Sequence, residues 1–466
     1  MSGSDLEVSG GAGGLEADLA DLAALGRNST DLAEMLAATS LTCHGMLVDP
    51  DVLASAVLNP AGVARFEAAL LEALDGPGGL SALALRFAAR AATLQAAAVA
   101  YRAADEALAE MADALDWATG AIPGGLLASV LGQVTGALLS DPRGPVEAVR
   151  ALIDDPQKWL TEHPGLVDSV VNKVPGLASR VNALTGGLLS PWIGGGDVRS
   201  AAARLGRLWP DGEPVVRTLA DDERGVVTRA PRNVTDLLDA LDQRARDSGP
   251  DEDQVSVRVV TQPDGTKAYI VDIPGTQDWS PPGLSPNSAT NDLGTNVRVL
   301  GGDATTRQEA IAEALRRAGA GSTDPVMLVG HSQGGMVAAQ AAHDSGTADF
   351  PYDVRSVVTM GSPIARADVP PSVQVLALEN AHDLVPHLDG RSNDDDPNVT
   401  TVTFEAQYGS VGENHGIGSA YRDGSQLVDR SDDPSIAAWR QSAAPFLAGP
   451  GDAPTVDAHV YSISRR

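Results

Sequence analysis

Cysteine is almost absent: Cys43 is alone among 466 residues. No disulfide can form within one chain, which excludes a disulfide-held scaffold but leaves the compartment open. Aromatics make up only 4%, so Ala, Gly, Val and Leu must supply the cores, favouring close helix packing. Positive charge is also scarce. Lys and Arg number 33 against 62 Asp and Glu, for a net charge of −29. Nucleic-acid binding needs clustered cations and is not expected, and an anionic membrane surface would repel the chain. The N-terminus, from Met1 to Asp5, lacks the basic and apolar stretches of a signal peptide. The expectation is a cytoplasmic protein, or one exported by a non-classical route. Residues 117–140 carry no charge, but Pro123 and several glycines interrupt them, so they read as a buried or interfacial segment rather than a span.

The length suits two or three domains. Residues 1–120 read as a helical hairpin region. Leu15, Leu19, Leu22, Leu32 and Leu36 recur at helical spacing, a long Ala-rich helix is predicted over 81–117, and a shorter one over 63–74 ends at the breaker Gly76-Pro77-Gly78. Residues 121–210 read as a helical connector punctuated by Gly and Pro, with short helices at 145–153 and 166–174 and no evident chemistry. Residues 211–448 change to alternating strands and helices, and 449–466 read as a C-terminal tail. The spacing predicts a hairpin from 255–259 to 268–273 across the turn Pro263-Asp264-Gly265, and a helix opened by a capping box at Thr306 and Glu309. Val326 to Val329 is an uninterrupted apolar run, as in strands buried on both faces. With strands also predicted at 354–360, 373–378 and 400–404, the fold class expected is α/β. It is a mostly parallel sheet with helices on both faces, preceded by an all-α region.

The chemistry begins at Gly330-His331-Ser332-Gln333-Gly334. A Gly-x-Ser-x-Gly pentapeptide is weak by itself, but here it joins a buried strand to a helix of small residues, where a nucleophile can stand on a sharp turn. Ser332 is the predicted nucleophile. Asp383 follows a later strand and is the predicted acid, with Glu379 and Asp389 as less well placed rivals. His415 follows one strand more and is the predicted base. His387 is its competitor, though too near Asp383 in the chain to bridge acid and nucleophile; His331, His343, His382 and His459 read as packing or surface residues. For the oxyanion hole, the N–H of Gln333 and a donor from the loop 273–279, Thr276 before Gln277, are expected. No metal or organic cofactor is called for.

The ordered motifs Pro274-Gly275-Thr276 with Asp278-Trp279, Gly330-His331-Ser332 with Gly334-Gly335, Asn380 and Asp383 with Val385-Pro386, and then His415 resemble the class 3, fungal-type lipases of the α/β-hydrolase superfamily. The resemblance covers roughly 229–446. It implies a Ser332–His415–Asp383 triad, an oxyanion donor at Thr276 and an ester or lipid substrate. The chain departs from the family's pattern at Gln333, where many carry Leu, and at Pro274, where Arg is frequent. Residues 280–296 occupy the place of a lid but are rich in Pro, Ser and Asn, which argues for a soluble or short-chain ester. The N-terminal helices are similar, more loosely, to the helical-hairpin proteins exported by the type VII secretion system of actinobacteria. Tyr101 and Asp105 match that system's Tyr-x-x-x-Asp/Glu signal, while its Trp-x-Gly turn is missing. This implies a helical partner or secretion machinery. The alternative function is an exported binding or toxin-like protein whose hydrolase domain is inactive or secondary.

Overall fold

The computed structural model describes residues 6–121, 165–184, 193–209, 211–220, 227–249, 252–280, 288–451 and 453–466, with scattered positions between 132 and 191. The chain divides into two compact units, residues 15–111 and the remainder.

The smaller unit is helical. It comprises α1 (Leu15–His44), α2 (Pro50–Leu58), α3 (Pro60–Asp75) and most of α4 (Leu80–Ala121). Asp49 and Asn59 accept hydrogen bonds from the first turns of α2 and α3, each of which opens on proline. Leu19, Ala33, Leu74, Ala84, Ala91 and Ala98 are buried, mostly small residues as the composition requires. The backbone at Tyr101 and Asp105 is helical within α4, but their side chains lie outside the described residues. Among the described residues no single helix is long and apolar enough to cross a membrane. Half of the uncharged stretch 117–140, including 122–131, falls outside them.

The larger unit is built on a nine-stranded sheet of order β1-β8-β7-β6-β5-β4-β3-β9-β2. In chain order its elements are β1 (Leu6–Gly10), α5 (Gly165–Leu184), α6 (Val198–Leu205), β2 (Pro214–Thr218), α7 (Val234–Asp247), β3 (Asp253–Thr261), β4 (Lys267–Ile273), α8 (Leu293–Leu300), α9 (Thr306–Arg317), β5 (Pro325–His331), α10 (Gln333–His343), β6 (Asp353–Met360), β7 (Gln374–Asn380), β8 (Val399–Phe404), α11 (Ala420–Arg430), α12 (Pro434–Ser442) and β9 (Thr455–Arg465). Strands β4 to β8 run parallel; β3 pairs antiparallel with β4 in the predicted hairpin.

Alternate residues of one strand serve two cores. Val326 and Leu328 of β5 join Ile311 and Leu315 of α9 and Val337 of α10 on one face. Met327 and Val329 join Leu237 and Leu241 of α7 and Tyr421 of α11 on the other. Both faces are therefore dry, which is why the strand reads as a continuous apolar run.

Three readings of the sequence are corrected here. The segment taken as a C-terminal tail contains β9, which inserts between β3 and β2 with Asp253 opposite Ile463 and Pro214 opposite Arg465. The helical N-terminal region also begins with a strand, β1, whose Leu6 pairs with Phe404 of β8. The cap of α9 is Thr305, which accepts from the Gln308 N–H, whereas Thr306 donates its hydroxyl to the Gly212 carbonyl at 2.6 Å. The cap moved by one residue because a tertiary acceptor claimed the predicted capping hydroxyl.

Candidate active site

The C-terminal ends of the parallel strands converge on one edge of the sheet, where open α/β folds bind ligands. Strand β5 runs into Ser332, the only non-glycine with a positive φ among the described residues (φ 54°, ψ −124°). That strain costs on the order of 1–3 kcal/mol and is held by close packing. A side chain at Gly330 would strike the backbone of Gly334, and one at Gly334 would strike the carbonyl of Ile273 in β4. The motif's two glycines thus let the turn fold onto itself and onto the neighbouring strand. Helix α10 begins at Gln333, whose N–H, as first residue, has no intrahelical acceptor.

Asp383 lies on the loop after β7 and is wholly buried. Its Oδ1 accepts from the Val385 N–H at 3.0 Å. Its Oδ2 accepts from the Tyr421 hydroxyl at 2.6 Å and from His415 Nδ1 at 2.7 Å. Because a carboxylate only accepts, Nδ1 carries a proton in this pair, which in the neutral imidazole puts the lone pair on Nε2. Burial first, then the Asp383 charge and hydrogen bond, push the Tyr421 hydroxyl far above its ordinary pKa, so it remains a donor. The rival acids are engaged elsewhere: Glu379 accepts from Asn393 at 2.7 Å and Asp389 from the Ala365 N–H at 2.9 Å.

His415 follows the short helical turn Val411–Asn414 after β8. Two side chains hold its loop. Asn380, at the end of β7, donates to the carbonyls of Ala406 and Asn414 at 2.9 and 3.0 Å. His331 donates Nε2–H to the His415 carbonyl at 2.8 Å, and the two rings lie 4.5 Å apart between centroids. Burial and the neighbouring His415 lower the His331 pKa to about 3, so it is neutral at ordinary pH. This residue, read from the sequence as a packing or surface residue, therefore ties the Ser332 turn to the His415 loop. Among the described residues the Ser332 hydroxyl and His415 Nε2 make no hydrogen bond to each other.

Gly275 brings the loop after β4 against Ser332, since a Cβ there would lie 3.0 Å from Ser332 Cβ. Thr276 lines the same cavity as Ser332 and exchanges a hydroxyl–amide hydrogen bond of 2.9 Å with Asn296. Gln277, the second choice for an oxyanion donor, has its N–H bound to the Asn291 carbonyl at 3.0 Å. Below the turn, fully buried Arg307 pairs with Asp253 at 2.9 Å and donates to the Gln333 side-chain oxygen at 2.6 Å. The amide of Gln333 donates in turn to the Asp292 carbonyl. The polar Gln333, which departs from the lipase pattern, is thus locked into a buried network.

His387 pairs with neither Asp383 nor Ser332. Its Nδ1 lies 3.1 Å from the Asp168 carboxylate on α5, and Asn172, one turn later, donates to the Gly390 carbonyl. The connector expected to be without chemistry therefore docks on the loop that carries Asp383. Residues 281–287, the centre of the predicted lid, lie outside the described residues. Tyr421 and Arg307 had no local signature, and Asn380 stood in a motif without a role; each is defined by a partner in another element.

Residues 263–457 match the family model described as alpha/beta hydrolase fold. That stretch is an α/β-hydrolase-fold domain, which supports hydrolase chemistry in general; α1 to α7 lie outside the match. No curated protein and no solved structure matched the chain.

Proposed function

We propose that this protein is a serine hydrolase that cleaves carboxylic esters, with Ser332 as nucleophile, His415 as base, Asp383 as orienting acid, and the N–H groups of Gln333 and Thr276 as oxyanion donors. The observation that carries the reading is the strained serine at the strand-to-helix turn, whose neighbour His331 binds the loop of a histidine with its Nδ1 held by a buried aspartate. In this mechanism Nε2 takes the hydroxyl proton as the serine oxygen attacks the ester carbonyl. The tetrahedral intermediate collapses by expelling the alcohol, which receives that proton from the imidazolium. Water, deprotonated by the same nitrogen, then releases the acid and restores the serine. Each oxyanion donor is worth about 3 kcal/mol of the barrier. In this reading the hydrogen bond from the Ser332 hydroxyl to His415 Nε2 forms when substrate binds. The ordered motifs that resemble class 3 lipases favour esters over other acyl compounds.

A fluorophosphonate probe tests this. The wild-type chain is expected to be labelled covalently at Ser332 and Ser332→Ala to remain unlabelled. Equal labelling of both, or of neither while both are folded, would overturn the assignment.

A further inference from the structure

The cavity at Ser332 is small, about 160 Å³, and mostly apolar, with Leu293, Val297, Leu300 and Met336 among its walls. Sites that enclose a whole organic ligand usually measure about 300–1,000 Å³. A second cavity of about 370 Å³ lies between α5, α6 and α8, and Val297 and Leu300 of α8 line both. These two residues border both cavities, so the groove adjoins the space at Ser332.

The second cavity is built by two matching helix faces. Val171, Val174, Pro175 and Ala178 recur at positions i, i+3, i+4 and i+7 of α5. Val198, Ala201, Ala202 and Leu205 repeat that spacing on α6. Alanines leave the groove open where larger side chains would fill it. Every lining residue is apolar or glycine, so nothing in it could recognise a sugar, a phosphate or a peptide by hydrogen bonding. Val174 and Leu205 stay substantially exposed, at 48% and 36%. Hydrocarbon is the ligand such a surface suits, and the adjoining serine says which end of that hydrocarbon carries the reactive group.

Resting on the esterase reading, we infer that the α5–α6–α8 groove is an acyl-chain site. The ester carbonyl sits at Ser332, and a medium or long alkyl chain crosses Val297 and Leu300 into the groove. The helices that build most of it precede the matched hydrolase region, so this chain supplies its chain-length selectivity from its own connector. The inference replaces the short-chain expectation drawn from the polar composition of 280–296.

The test is the series of p-nitrophenyl acetate, butyrate, octanoate and dodecanoate on the full chain. It is run with wild type and with Ala178→Trp and Ala201→Phe, which fill the groove from opposite helices. For wild type, kcat/KM is expected to rise from acetate to octanoate by roughly 10–200-fold, the scale on which apolar pockets discriminate added methylenes. In either variant the ratio of octanoate to acetate kcat/KM is expected to fall towards unity. Inactivation of wild type by alkyl fluorophosphonates of increasing length gives a second reading that needs no variant to fold, and it should show the same rise. Ester turnover without a rise in either series, or with a rise that both folded variants retain, would overturn the groove while leaving the esterase reading standing. No turnover of any ester and no labelling would remove both.

Discussion

Two histidine–aspartate pairs stand on the loops at the same edge of the sheet, and they teach what makes one of them a candidate for catalysis. The imidazoles are equally exposed, 19% for His415 and 20% for His387. The acids differ: Asp383 is fully buried and holds two further donors, whereas Asp168 is 22% exposed on a helix from another part of the chain. A carboxylate fixed by several donors in a dry site can set the tautomer and angle of its histidine. One reached by water is screened and serves as a tether. Pairing alone therefore does not distinguish a base from a docking contact; the setting of the acid does.

The comparison breaks most sharply at the histidines. His415→Ala is expected to lower kcat on an activated ester by roughly 10⁴–10⁶-fold, while His387→Ala should act on melting temperature and leave kcat near wild type. Equal losses in kcat would mean that the two pairs are not functionally distinct. Asp383→Asn should cost about 10⁴-fold by favouring the wrong tautomer, and Asp168→Asn should not reproduce it. Tyr421→Phe removes one donor from the buried carboxylate; the expected loss of stability is about 1.5–3 kcal/mol by denaturant titration, with a smaller fall in kcat. An unchanged stability would show that the hydroxyl does not support Asp383.

The smallest effect concerns the tether's pH response. Burial first, then the Asp389 and Asp383 charges, raise the Glu379 pKa from 4.5 to about 7 despite His387 nearby. Burial likewise raises Asp389 from 3.8 to about 6. Burial opposes the charge on His387, but Asp168 and the other acids outweigh it and raise its pKa above 6.5. All three folded-state values lie above the ordinary ones, so the folded chain binds more protons than the unfolded chain in this window. The carboxyls' contribution to stability is complete only below their ordinary values of 3.8 and 4.5 and is lost as pH rises from there through about 6 to 7, while that of His387 is lost above 6.5. Glu379→Gln should thus melt about 2–4 °C higher than wild type at pH 8, with little difference at pH 5. The same gain at both values would show that ionisation is not its cause.

Much of the site was legible because each of its motifs follows a strand whose pattern is local. The run 326–329, the two glycines around Ser332 and the short loops bearing Asp383 and His415 all sit within a few residues of the feature that identifies them. What failed was long-range. Residues 455–465 alternate as a strand should, but their partner β3 lies about two hundred positions earlier. A short run after a Gly- and Pro-rich stretch gives no hint of a vacancy in a distant sheet. Nothing near Arg307 in the chain names its buried partners, Asp253 and Gln333.

By itself, then, the sequence determined the class of the domain, the sharp turn at Ser332, and the order in which Ser332, Asp383 and His415 follow the strands, because periodicity and turn chemistry are local properties of a chain. The tertiary structure decided which carboxylate faces which imidazole, that His331, Asn380 and Tyr421 brace them, and that helices from the connector face an apolar groove beside the serine. Those outcomes depend on which surfaces meet when both faces of the sheet are covered, and no window of neighbouring residues contains that information.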